Sequence, residues 1–120
     1  MKPRIEATQF GSITVAGQRW DHDVIIRLDG TVEKRKKKLS KEVYGTSHRV
    51  SLAEIHHVSE EGAQLLVIGT GQSGLVSLDE QSQTFMEEQG CNVLLLPTPE
   101  AVEAWNSAEG KVIGLFHVTC

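Results

Sequence analysis

Gln64-Leu65-Leu66-Val67-Ile68-Gly69-Thr70-Gly71-Gln72-Ser73-Gly74 is the stretch on which the fold turns. Its run Leu65–Ile68 is apolar without alternation, the pattern of a strand buried on both faces. A glycine-rich loop follows directly. Cys91 to Leu96 repeats the pattern between Gly90 and Pro97, and Val112 to Phe116 repeats it after Gly110.

Helical signals separate these strands. Ser51 is placed to cap a helix, and Glu54, three residues on, to return a bond to the Ser51 amide in a capping box. Leu52, Ile55 and Val58 recur at helical spacing, and Gly62 ends the segment. Asp79 opens a second helix, with Phe85 and Met86 on its apolar side. Thr98 is the N-cap candidate of a third; Pro99 suits the first helical position, and Ala101, Val102 and Trp105 supply its packing face. Strands alternating with helices predict a partly parallel sheet with helices covering one face.

The first half reads differently. Ile5 to Val15 is strand material, Ala16-Gly17 a reversal before Trp20, and Val24-Ile25-Ile26 a short apolar strand closed by Asp29-Gly30. Antiparallel hairpins are expected there. The class is α/β, with residues 1–120 as a single domain. A chain of 120 residues has room for a modest core, and a homo-oligomer would add burial.

The net charge of -4 conceals an uneven distribution. Residues 1–50 carry eleven Lys or Arg against six Asp or Glu, whereas residues 51–120 carry Lys111 alone against ten acidic groups. Lys34, Arg35, Lys36, Lys37 and Lys38 form the densest basic run, read as a solvated loop extending through Lys41 and as a contact for an acidic protein partner. It lacks interleaved aromatics and a recognition helix, which argues against nucleic acid. No apolar stretch is long enough for a membrane span, and the N-terminus lacks the apolar core of a signal peptide, so a cytoplasmic location is expected. Cys91 and Cys120 form neither a CxxC spacing nor a disulfide framework. Cys91 is expected to be a buried small hydrophobe.

Several residue groups could carry chemistry. Gly69, Thr70, Gly71, Ser73 and Gly74 satisfy GxGxxG literally and are candidates for a small anion. The extended segment Leu75–Leu78 intervenes before the next helix, and no Walker A lysine follows, so neither a dinucleotide nor any other cofactor is assigned. His117 with Cys120 is the arrangement in which an imidazole activates a thiolate. Asp21 and Asp23, two residues apart, are paired carboxylates beside a turn. His56 is expected at the edge of the helix's core face, with His57 turned outward. His22, His48, His56 and His57 show no ligand spacing, and no metal is assigned.

The ordered series Gln64–Gly71, Glu87–Val93, Thr98–Asn106 and Gly114–Cys120 resembles the Mth938-domain family. Ile5–Val15 and Asp29-Gly30 fit it too, so the resemblance covers nearly the whole chain. It implies a compact domain with mixed β-sheets and two principal helices packed against them. It also implies that Gly69-Thr70-Gly71 and His117 border a shared surface pocket. The family's eukaryotic relatives include an adipogenesis-associated protein and a mitochondrial complex I assembly factor, and the ending of this chain is more similar to the former. The expected function is a non-enzymatic interaction or assembly factor. The alternatives are a small-ligand or anion-binding protein using the Gly69–Gly74 loop, and a Cys/His-dependent enzyme.

Overall fold

The structure, a computed structural model, describes residues 2–120. Strands β1 (Ile5–Gln9), β2 (Ser12–Val15) and β3 (Gln18–Trp20) form an antiparallel meander. The β2–β3 reversal has positive φ at both Ala16 and Gly17, as a type I′ hairpin requires. Next come β4 (Val24–Ile26), β5 (Val32–Lys34), helix α1 (Lys38–Tyr44), β6 (Arg49–Val50) and α2 (Leu52–Val58). The remainder is β7 (Leu65–Thr70), β8 (Ser77–Leu78), α3 (Glu80–Glu88), β9 (Asn92–Leu96), α4 (Thr98–Ser107) and β10 (Val112–His117).

The central sheet has the order β5-β4-β10-β7-β9. β10 runs parallel to β7, which runs parallel to β9, while β4 and β5 complete it antiparallel. The last strand therefore inserts between β7 and β4. β6 and β8 pair separately.

The apolar runs divide their side chains between two cores. Ile25, Leu66, Ile68, Ile113 and Leu115 pack with Ile55, Val58 and Met86 of α2 and α3. The alternate residues Val24, Ile26, Val67, Val112 and Phe116 pack with Ala101, Val102 and Trp105 of α4 and with Ile5, Ile13 and Val15 of the meander. Successive strand residues point to opposite faces, so a sheet covered on both sides needs uninterrupted apolar sequence. Each large side chain buried here contributes about 1.5–3 kcal/mol. Gly114 makes room for aromatic packing: a Cβ there would lie 2.5 Å from the Phe116 ring and 3.1 Å from Trp105.

Two expectations are corrected. Helices cover both faces of the sheet, because each face of the central strands is apolar and must be shielded from water. There are four distinct helices among the described residues, not two main ones. Helix α1 falls in the segment expected to be a solvated loop. It offers little apolar periodicity because polar contacts hold it: Ser40 Oγ donates to the Glu54 carboxylate, Leu39 O accepts from Ser51 Oγ, and Tyr44 Oη donates to Asp79. Gly45, with φ of 71°, closes it by donating its amide to Lys41 O.

Candidate functional site

A buried polar network lies where β10 leaves the sheet. Arg35, only 3% exposed, is the hub. Its Nε and Nη2 donate to Glu54 Oε2 and Oε1 at 2.6 and 3.0 Å, and its Nη1 donates to Asp23 Oδ2 at 3.0 Å. Nη2 also donates to Ser47 O at 2.8 Å. Burial works against the guanidinium charge, but the bond and charge of Glu54 and then Asp23 hold its pKa above the ordinary value. Burial likewise pushes the Asp23 carboxyl upward. That push is outweighed by the His117 hydrogen bond, the Val118 amide and the charges of His117 and Arg35, which bring it down to about 2. Asp23 is therefore an anion inside the protein.

The network alters the reading of the basic segment. Arg35 turns inward, while Lys34, Lys36 and Lys38 remain exposed and Lys37 Nζ stands 3.7 Å from Asp23 Oδ2. Alternation along the extended backbone accounts for the split among Lys34, Arg35 and Lys36, whereas Lys37 and Lys38 belong to the start of α1. The network also modifies the expected capping box. Ser51 Oγ accepts from the Glu54 amide at 3.2 Å, but the Glu54 carboxylate is drawn to Arg35, and the Ser51 amide donates to Ser40 Oγ instead. The Asp pair is divided as well. Asp21 is exposed and paired with Arg19, and Asp23 is buried.

His117, 2% exposed, donates through Nδ1 to Asp23 Oδ2 at 2.7 Å. Thr119 Oγ1 lies 3.1 Å from the other ring nitrogen, Nε2. His48 stacks edge-on against His117 with ring centroids 5.4 Å apart, and Cys120 Sγ is 3.7 Å from His48 Nε2. One ligand atom each from His48, His117 and Cys120 lies within 4.8 Å of the others. Sequence spacing offered no sign of this group, because His48 belongs to an irregular segment and joins the site only through the fold.

The glycine-rich loop holds the tail that carries these residues. The Gly71 amide donates to Thr98 Oγ1 at 2.9 Å, and the Gln72 amide to Thr119 O at 2.7 Å. The Gly74 and Leu75 amides go to Gly71 O and Cys120 O. Thr98 Oγ1 also donates to His117 O, so one hydroxyl links the loop to β10. Thr98 is the first residue of α4, and Pro97 occupies the N-cap position expected of it, which releases the Thr98 side chain for this bridge. Gly71 has a φ of +105°, and a Cβ there would stand 2.4 Å from the Cys120 carbonyl carbon and 2.9 Å from the His117 ring. Gly71 and His117 thus meet directly. Thr70 is buried at the end of β7 beside His117 in register, whereas Ser73 is exposed and Gly74 packs near Pro97.

A pocket of about 470 Å³ is lined by His22, Asp23 and the segment Lys34 to Lys38. Asp23 is thus shared between this basic pocket and the His117 cluster. The remaining histidines lie elsewhere: His56 is exposed against Phe85, and His57 is the half-buried one, the reverse of the expected order. Burial pushes the Cys91 thiol upward, in keeping with a packing role.

A β-sheet packed on both sides, with a polar cluster at the parallel strands' C-terminal ends, defines the class of domain. The chain belongs to the Mth938-domain family: the model for DUF498/DUF598, a protein of unknown function, matches residues 5–117. It is similar to the conserved hypothetical protein PH1505 from Pyrococcus horikoshii OT3, with 33% identity, a TM-score of 0.91, and coverage of 98% of this chain and 99% of that one. It is also similar to the protein MT938, with 32% identity, a TM-score of 0.83, and coverage of 99% and 100%. A Bordetella pertussis protein described as a Mth938-like domain shares the fold at 16% identity and a TM-score of 0.60, with coverage of 97% and 85%. These descriptions carry no activity to this chain. Among the described residues no helix is long and apolar enough to cross a membrane.

Proposed function

We propose that this chain is a non-enzymatic interaction protein that docks an acidic segment of a protein partner against Lys34, Lys36, Lys37 and Lys38. The observation that carries this reading is the lysine-lined pocket, in which the facing carboxylate, Asp23, is already engaged by Arg35 and His117. The exposed ammonium groups of Lys34, Lys36 and Lys38 are available to an incoming carboxylate, and Arg35 supports the segment from below. Such an interface is steered by charge and weakens with salt.

The test is binding of a fluorescent Glu/Asp-rich peptide, followed by anisotropy, to the native protein and to a Lys36→Glu, Lys37→Glu, Lys38→Glu variant with unchanged circular dichroism. Affinity capture from native extract is run in parallel with both proteins. Salt-sensitive binding lost in the variant supports the reading; equal binding by both proteins removes it. The pocket's volume favours one second reading, a small anionic ligand. It predicts that inorganic phosphate raises the melting temperature of the native protein and leaves the variant unmoved.

A further inference from the structure

We propose that His48, His117 and Cys120 form a binding site for a borderline-soft divalent metal ion, with Zn²⁺ as the best match. The three donors are two imidazoles and one thiol, the set that selects such ions over magnesium or calcium. They converge from three separate places in the chain: the segment before β6, the end of β10, and the tail after it.

Their spacing suits a tetrahedral ion. Zinc–nitrogen and zinc–sulfur bonds of about 2.0–2.1 and 2.3 Å imply donor–donor edges of about 3.3–3.6 Å. His48 Nε2 and Cys120 Sγ already stand 3.7 Å apart, and the whole group fits within 4.8 Å. A shift of about 1 Å in the partly exposed His48 and Cys120 side chains completes the contraction around the buried His117.

Asp23 supplies independent support. Histidine ligands commonly give their second ring N–H to a carboxylate, which fixes the tautomer and strengthens the donor. The 2.7 Å bond from His117 Nδ1 to Asp23 does this, and Arg35 and the Val118 amide hold the carboxylate in place. The orienting shell is therefore built on Nδ1, and Nε2 is the nitrogen left for an ion. Thr119 Oγ1, now 3.1 Å from Nε2, turns aside or becomes a neighbouring oxygen donor.

The tail is also fixed before any ion arrives. Thr119 O and Cys120 O accept from the Gln72 and Leu75 amides, and Val118 O accepts from the Gly11 amide at 2.8 Å. With three protein donors, a fourth position is left for water or an exogenous ligand.

The test uses the whole chain, reduced and stripped with chelator. Cobalt(II) is added first as a spectroscopic probe, and zinc affinity is then measured by competition with a chromophoric chelator. A single equivalent should produce a thiolate-to-cobalt charge-transfer band with tetrahedral d–d bands. The band should vanish in Cys120→Ser, and zinc affinity should fall at least tenfold in both Cys120→Ser and His48→Ala. Both side chains are partly exposed, so neither change removes core packing. Zinc should also slow alkylation of Cys120 while the buried Cys91 serves as an internal control. Absence of the charge-transfer band, an affinity unchanged in the two variants, or Cys120 alkylation indifferent to zinc would each overturn the proposal.

Discussion

His117 and Asp23 lie 94 positions apart, yet their side chains meet at 2.7 Å inside the protein. The contact follows from strand order. Asp23 immediately precedes β4, His117 ends β10, and the two strands pair antiparallel with Phe116 opposite Val24. Once β10 has inserted beside β4, the imidazole has few other places to go. The same oxygen of Asp23 accepts from Arg35, which ties the basic segment to the last strand.

Arg35 should be the most sensitive member of the basic run. Arg35→Met leaves Glu54 as a buried carboxylate without its cation and takes one of three from Asp23, a loss of about 3–5 kcal/mol. Lys36→Met, on the exposed side of the segment, should stay within about 0.5 kcal/mol of the native protein. Urea denaturation of the two variants checks the contrast. Equal stability would show that the guanidinium is not the network's support.

Thr98 should matter through its hydroxyl alone. Thr98→Val preserves shape but deprives the Gly71 amide of its acceptor and His117 O of a donor. An orphaned buried amide costs about 1–3 kcal/mol. Amide hydrogen exchange should accelerate at Gly71 and Gln72 before it does so in the β7 interior. Unchanged protection there would contradict the bridging role.

Gly71→Ala should destabilise for two reasons, an unfavourable positive φ and the collision with the Cys120 backbone. Backbone strain of this kind costs about 1–3 kcal/mol, and displacement of the tail adds to it. Gly90→Ala, also at positive φ but with open space around its Cβ, isolates the strain component. The expected result is faster alkylation of Cys120 in the Gly71 variant only.

Asp79 should contribute to acid sensitivity. Burial raises its carboxyl pKa, but hydrogen bonds from Ser82 and Tyr44 outweigh this and hold it below the ordinary 3.8. A folded-state value below the unfolded one means the stabilisation is complete above about pH 4 and is lost as pH falls through the lowered pKa. Asp79→Asn retains an N-cap for α3 but removes the ionisation. The stability gap between native and variant, measured by urea titration, should narrow as pH is lowered below about 4. A gap that widens on acidification would reverse the sign.

Much of the architecture was legible from local pattern. Leu65–Ile68 and Val112–Phe116 announced buried strands, whereas Cys91–Leu96, read the same way, forms the edge strand β9, whose residues are only partly buried or exposed because a single neighbour, β7, pairs with it. Ser51 and Asp79 marked two helix starts through side chains that accept from Glu54 and Ser82 amides. Helix α1 was hidden because Ser40 and Tyr44 hold it through polar partners on other elements, and an apolar-periodicity search is blind to that. Arg35 was hidden for a related reason. In sequence it is one of five consecutive cations, and only the partners waiting at Asp23 and Glu54 distinguish it from the lysines.

By itself the sequence determined the two-sided burial of β7 and β10, the reversals at Ala16-Gly17 and Asp29-Gly30, and the glycine-rich turn after β7. These depend on hydrophobicity and backbone freedom of neighbouring residues. Tertiary structure alone decided that β10 would lie between β4 and β7, and with it that His48, His117 and Cys120 would converge beside Asp23. Convergence of that kind depends on long-range pairing, whose energy is shared across the whole sheet and written in no single stretch of chain.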